Sequence, residues 1–164
     1  MASPVHSEIK QALESAAGLY HRLVLVVGHS GTGKTRVLRN IAGELGVPVT
    51  NVNLTLAGGL LELTGYQRVL QLPEIFDQMV GQCPSPVVLD NLEILCGRDL
   101  QTNPLKLLQN VSRNSTVIAA WNGALTGSRL EYAEIGHPEY GSYDAADTLI
   151  VDMNATADAE TASN

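Results

Sequence analysis

Basic side chains are missing from the last stretch of this chain. No lysine or arginine follows Arg129, whereas Glu131, Glu134, Glu139, Asp144, Asp147, Asp152, Asp158 and Glu160 make up 8 of the 17 acidic residues. The formal net charge of -7 therefore sits at the C-terminal end, and the remainder is close to balance. Neither part carries the clustered lysines and arginines of a nucleic-acid phosphate footprint, so direct nucleic-acid binding is not evident from charge. Cysteine is scarce as well. Cys83 and Cys96 are the only two, without metal-ligand spacing, and the four histidines are dispersed. A disulfide framework and a zinc site are excluded, and two free thiols suit a reducing compartment. Aromatic residues make up only 4% of a chain that is 45% hydrophobic. The interior must then be aliphatic, as in a parallel sheet covered by helices on both faces. No apolar run approaches the ~18 residues of a membrane span, and no basic segment followed by an apolar core opens the chain. A cytoplasmic protein without a membrane partner is the expectation.

What the sequence does contain is a strand–loop–helix signature. The apolar run Leu23-Val24-Leu25-Val26-Val27 leads into Gly28-His29-Ser30-Gly31-Thr32-Gly33-Lys34-Thr35 and then into the helical pattern Arg36-Val37-Leu38-Arg39-Asn40-Ile41-Ala42. This is the phosphate-binding P-loop, G-x-x-x-x-G-K-[ST], in its required context. The glycines let successive N–H groups turn inward toward phosphate oxygens, and the helix that follows adds the positive end of its dipole. Lys34 is expected to reach the β- and γ-phosphates and the Thr35 hydroxyl to bind Mg²⁺, which makes Mg²⁺ and a nucleoside triphosphate, taken as ATP, the expected ligands. At 164 residues the chain is long enough for one buried core and too short for a P-loop core with a separate helical lid.

Along the chain, Ser7 to Leu19 has helical periodicity with a serine cap, and such a helix would pack beside the first strand. It would bring Tyr20 and His21 near the nucleotide base, or else end in an ordinary surface turn. The P-loop helix should end near Leu45 at Gly46. A second strand is expected over 49–54, a short helix and loop over 57–68, and a helix over 73–80 with Pro73 at its first position. The 57–68 stretch is either plain connection or a sensor or partner-contacting loop. Val87-Val88-Leu89-Asp90 is an apolar strand ending in aspartate, the Walker B pattern. Its carboxylate accepts a hydrogen bond from the P-loop hydroxyl or holds Mg²⁺ through water. Many hydrolysing P-loop ATPases place glutamate directly after that aspartate, but here the residue is Asn91. Glu93, the nearest carboxylate, either polarises the attacking water or serves as a structural acid. Asp99 or Asn103 caps a helix through Val111. A fourth strand over 116–121 closes at Asn122-Gly123, where Asn122 either orients water or touches the γ-phosphate, or merely makes a turn. Residues 130–144 read as a polar loop, 148–153 as the fifth strand, and 154–164 as a disordered tail beyond a single domain spanning 1–153.

Beyond the P-loop, the segments V-V-L-D-N-L-E-I-L, N-P-L-K-L-L-Q-N-V-S-R-N, A-A-W-N-G and Y-A-E-I-G-H-P-E-Y resemble the BrxF family, the small P-loop proteins of type 3 BREX phage-defence systems. The likeness covers most of the chain from Leu23 to about Tyr140. It implies a bacterial, cytoplasmic subunit acting with other BREX proteins, among them DNA methyltransferase, helicase and phosphatase-like components. The chain also resembles the AAA+ core. That resemblance implies five parallel strands, Asn122 in the sensor position, and Arg113 where an arginine finger lies, offered to a neighbour in a possible homo-oligomer. The alternative for Arg113 is a bond to the last carbonyls of its helix. The second AAA+ domain, with its nucleotide-contacting arginine, has no counterpart in the sequence.

The expected fold is therefore a doubly wound α/β core with a parallel five-stranded sheet, and nucleotide at the carboxyl ends of strands one and three. The expected function is ATP binding with slow Mg²⁺-dependent hydrolysis as a subunit of a defence complex. A non-catalytic, nucleotide-gated adaptor and a small-molecule kinase are the alternatives.

Overall fold

The computed structural model describes residues 4–29, 31–96, 103–133, 141–145 and 148–154. Its first strand, β1 (Leu23–Gly28), explains the architecture by its burial, since all six residues are inaccessible. Side chains alternate across a strand, so a strand buried along its whole length needs cover on both faces. Leu23, Leu25 and Val27 join one apolar cluster with α3 (Val52–Leu60), α4 (Gly65–Gly81) and α5 (Pro104–Val111). Val24 and Val26 join the other, with α1 (Pro4–Ala16) and α2 (Lys34–Leu45).

Five parallel strands lie in the order β2 (Val49–Asn51), β3 (Val87–Asp90), β4 (Val117–Thr126), β1, β7 (Leu149–Asp152). The doubly wound core expected from the sequence is present. On its α1–α2 face, Lys10 and the His6 ring converge on Glu44 at 2.8 and 2.9 Å and hold its carboxyl below the usual range. No helix among the described residues is long and apolar enough to cross a membrane.

Several boundaries differ from the sequence reading, each for a local reason. Helix α1 starts at Pro4, so Ser7 lies within it rather than capping it. Strand β2 stops at Asn51 because the Asn51 side chain turns back to accept from the Leu54 N–H at 3.0 Å, capping α3. Helix α4 begins at Gly65, well before Pro73. A reciprocal capping box starts it: the Thr64 hydroxyl accepts from the Gln67 N–H, and the Gln67 side chain accepts from the Thr64 N–H. Pro73 thus sits inside the helix, where burial of Leu72, Phe76, Met79 and Val80 offsets the lost backbone bond. Of the two proposed caps for α5, Asn103 fills the role through the Lys106 N–H, and Asp99 lies outside the described residues.

The largest difference concerns residues 123–144. Strand β4 does not close at Asn122-Gly123 but runs on to Thr126, where β5 (Arg129–Tyr132) pairs with it antiparallel and β6 (Gly141–Asp144) pairs with β5. The polar loop is therefore in part a hairpin. Aromatic contacts hold it. Trp121, 1% exposed, meets the rings of Tyr132 and Tyr143 edge-on at 5.8 Å each, and its indole N–H donates to the Glu131 carbonyl at 3.0 Å. Gly123 permits this approach, because a Cβ there would overlap the Glu131 carbonyl oxygen. Gly123→Ala is expected to cost about 1–3 kcal/mol by overpacking. Thermal melting followed by the fluorescence of the single tryptophan checks this, and an unchanged melting temperature would contradict the close approach.

Candidate nucleotide-binding site

The cleft forms where β1 and β3 end and where β4 leaves the parallel ladder to pair with β5. After Gly28 the loop takes two left-handed turns, with φ of 90° at Gly31 and 92° at Gly33, and the second is the residue before α2 begins at Lys34. Gly28 has its own constraint, since a Cβ there would overlap the Thr32 hydroxyl. The result is a ring of loop groups closed around the Lys34 ammonium. Nζ donates to the carbonyls of Gly28 at 2.7 Å and His29 at 2.8 Å and lies 3.4 Å from Thr32 Oγ1. Burial pulls the Lys34 pKa below the usual lysine range, against Asp90 and Glu93, whose charges favour the ammonium. A phosphate would give that ammonium an anionic partner in place of neutral carbonyls. Ser30 lies outside the described residues.

The second wall comes from β3. Thr35 Oγ1 donates to Asp90 Oδ2 at 2.8 Å, and the Asn91 N–H donates to Asp90 Oδ1 at 2.9 Å. With its proton committed to Asp90, the Thr35 hydroxyl keeps lone pairs for a hard cation. A hydroxyl and a carboxylate side by side at the mouth of a phosphate nest suit Mg²⁺, with phosphate and water supplying the other ligands. Thr35 and Asp90 would hold the ion there, and it would neutralise phosphate charge during bond breaking.

Asn91 then turns the chain sharply, with φ of 57°, and a short 3-10 turn over Glu93–Cys96 follows. The strand geometry that would aim Glu93 away from the cleft does not persist that far. Instead both Glu93 oxygens are engaged: Oε2 accepts from Asn53 Nδ2 at 2.8 Å and Oε1 from Asn122 Nδ2 at 2.9 Å. The other end of Asn53 accepts from the Ile94 N–H at 2.7 Å. Glu93, Asn122, Asp90, Lys34 and Thr35 thus line one cleft of about 770 Å³.

Arg113 is not brought into that cleft. In a parallel sheet the residues before a strand lie at its amino edge, and Arg113 precedes β4 just as Arg22 precedes β1. That edge is about 17 Å from the Gly28–Asn122 end. There the Arg113 guanidinium stacks 4.8 Å over the Tyr20 ring, and its carbonyl accepts from Arg22 at 3.0 Å. Tyr20 and His21 sit at the same edge, His21 bonded to the Gln109 carbonyl at 2.9 Å, so neither approaches the nucleotide cleft. Sequence reasoning also missed residues. Arg36 and Arg39 follow the P-loop at helical spacing and line the cleft. Asn53 was readable only as a polar residue just past the carboxyl end of β2, which is the same signal that selected Asn122.

A P-loop α/β core with a phosphate nest, a hydroxyl–carboxylate pair and a nearby second carboxylate defines a nucleoside-triphosphate-binding protein. The family model of the AAA ATPases, the ATPase family associated with various cellular activities, matches residues 24–124, and the chain belongs to that family. Among curated proteins it is similar to the ATP-dependent zinc metalloprotease FtsH of Methylococcus capsulatus, 31% identical over 83 residues, which is 51% of this chain and 13% of the relative. It is also similar to FtsH 4 of Sphaerobacter thermophilus, 36% identical over 72 residues, 44% of this chain and 10% of the relative. The chain therefore spans only a small part of these relatives' length. Among solved structures, C. elegans PCH-2 matches at 16% identity and a TM-score of 0.42, covering 90% of this chain and 40% of that one.

Proposed function

We propose that this chain binds Mg²⁺-ATP in the cleft at the end of β1 and hydrolyses it slowly, as a subunit of a larger assembly. The observation that carries the reading is the 2.8 Å contact between Thr35 and Asp90 beside the Lys34 nest. In this reading the P-loop N–H groups and Lys34 orient the phosphates, and Thr35 and Asp90 hold the ion. Glu93 receives the proton of the attacking water, and Asn122 fixes the carboxylate that does so. Each Glu93 oxygen accepts one amide N–H, which leaves each a lone pair for a water molecule.

One observation favours a second reading. Glu93 is two residues beyond the usual position and is held by two amides, which suits a non-catalytic, nucleotide-gated adaptor that recruits a larger partner and has negligible turnover. A role among the proteins of a type 3 BREX defence system is supported by the resemblance of the four downstream segments quoted above. Steady-state phosphate release, measured on the chain alone and with the proteins encoded beside it, separates the readings. Turnover by the chain alone or with a partner supports the ATPase, and binding without turnover in either case removes hydrolysis and supports the non-catalytic adaptor.

A further inference from the structure

The parallel ladder between β1 and β4 ends at the pair Gly28↔Asn122. One residue further on, the two chains part: His29 enters the phosphate loop and Gly123 turns to pair with Tyr132 of β5. Even-numbered residues of β1 bond β4, as the Arg22 carbonyl does in accepting from the Val117 N–H, so the His29 N–H lies on the side of β7 while the Gly123 carbonyl lies toward β1, and one side chain takes both. Asn154 Oδ1 accepts from the His29 N–H at 2.9 Å, and Asn154 Nδ2 donates to the Gly123 carbonyl at 2.9 Å. A carboxamide has the donor and acceptor of a peptide group, so Asn154 acts as a peptide-like wedge between two diverging strands. The wedge is itself held. The Asn154 N–H donates to Asp152 Oδ1 at 2.9 Å, and buried Met153 packs against the Gly28 backbone.

We propose that Asn154 is a positioning residue that sets the opening of the nucleotide cleft, by fixing the distance between the phosphate loop and the strand that carries Asn122. Asn122 holds Glu93, so the same amide places the phosphate nest relative to the carboxylate opposite it. The inference rests on the nucleotide-binding reading above and goes beyond it in naming a residue outside every recognised motif. Both halves of the amide are needed. Asn154→Ala loses both contacts, whereas Asn154→Asp keeps an acceptor for His29 and sets a second acceptor against the Gly123 carbonyl.

The test is the affinity of the full chain for Mg²⁺-ADP, titrated at a temperature where circular dichroism shows each variant folded. Asn154→Ala is expected to bind about five- to tenfold more weakly, the scale of one lost net hydrogen bond, and Asn154→Asp at least as weakly. A residue that served stability alone would lower the melting temperature and leave this affinity unchanged. Wild-type affinity in Asn154→Ala would overturn the proposal, and wild-type affinity in Asn154→Asp would overturn the wedge. Amide hydrogen exchange on the wild type judges the contact even if the variants do not fold. The His29 N–H is expected to exchange more slowly than unbonded loop amides, and equally fast exchange would contradict the wedge. A wild type that binds no Mg²⁺-nucleotide, while its His29 amide is protected, would remove the nucleotide reading and leave the wedge standing.

Discussion

Lys34→Ala is expected to keep its fold and to lose the stabilisation that Mg²⁺-ATP gives the wild type. At about 100 times its dissociation constant, a ligand that binds only the native state adds ~2.7 kcal/mol. For a chain of this size that corresponds to roughly 5–10 °C in melting temperature. The variant should show almost none of this shift, because Lys34 is the cation at the centre of the loop and its ammonium already lies within 2.8 Å of the loop carbonyls. Without ligand the variant should melt close to the wild type. It loses two bonds to carbonyls but also sheds a charge that burial disfavours, and the two effects oppose each other. Differential scanning fluorimetry with and without nucleotide checks both halves, and equal nucleotide shifts in the two proteins would contradict the role of Lys34.

Glu93→Gln is the second large effect. If Glu93 takes the proton of the attacking water, its amide should bind Mg²⁺-ATP within about twofold of the wild type and lose ~100-fold or more in turnover. The fold should tolerate the change. Asn53 can keep donating to the remaining carbonyl oxygen, and Asn122 need only flip its amide to accept from the new NH₂. A structural Glu93 predicts the opposite pattern, a lower melting temperature with turnover in proportion to folded protein. Phosphate release and melting measured on the same preparation separate the two outcomes. Unchanged turnover would remove Glu93 from the chemistry.

The parts of this protein that could be read from sequence are those where backbone geometry dictates residue type. Two left-handed residues in a phosphate loop require Gly31 and Gly33, and the strand before them must be apolar throughout because both of its faces are covered. Asp90 was readable for a similar reason, as the first polar residue at the end of a fully buried strand. What could not be read depends on contacts between distant residues. The antiparallel pairing of β4, β5 and β6 is packed through Tyr132 and Tyr143 against the Trp121 ring, contacts that local periodicity does not show. Proline favours first turns, so Pro73 reads as a helix start, while the Thr64–Gln67 capping box is the signal that starts α4. Asn53 and Asn154 act only because several strand ends converge, and single-sequence periodicity does not show which ends meet. Asn154, assigned to the tail, is tied to the loop and to β4, whereas 155–164 lie outside the described residues. Arg113 lies away from the cleft of its own chain for a topological reason. A helix that leads into a parallel strand delivers its last residues to the amino edge, and ligands in such sheets bind at the other edge.

A crystal structure of the full chain with Mg²⁺ and a non-hydrolysable ATP analogue shows whether the cleft holds nucleotide through Lys34, Thr35 and Asp90. The β-phosphate is expected inside the loop formed by Gly28 to Thr35, with the Lys34 ammonium moved from the Gly28 and His29 carbonyls onto phosphate oxygen. The metal ion is expected on Thr35 Oγ1, on the side facing Asp90. An analogue bound elsewhere, or bound while Lys34 still donates to those two carbonyls, would contradict this binding mode.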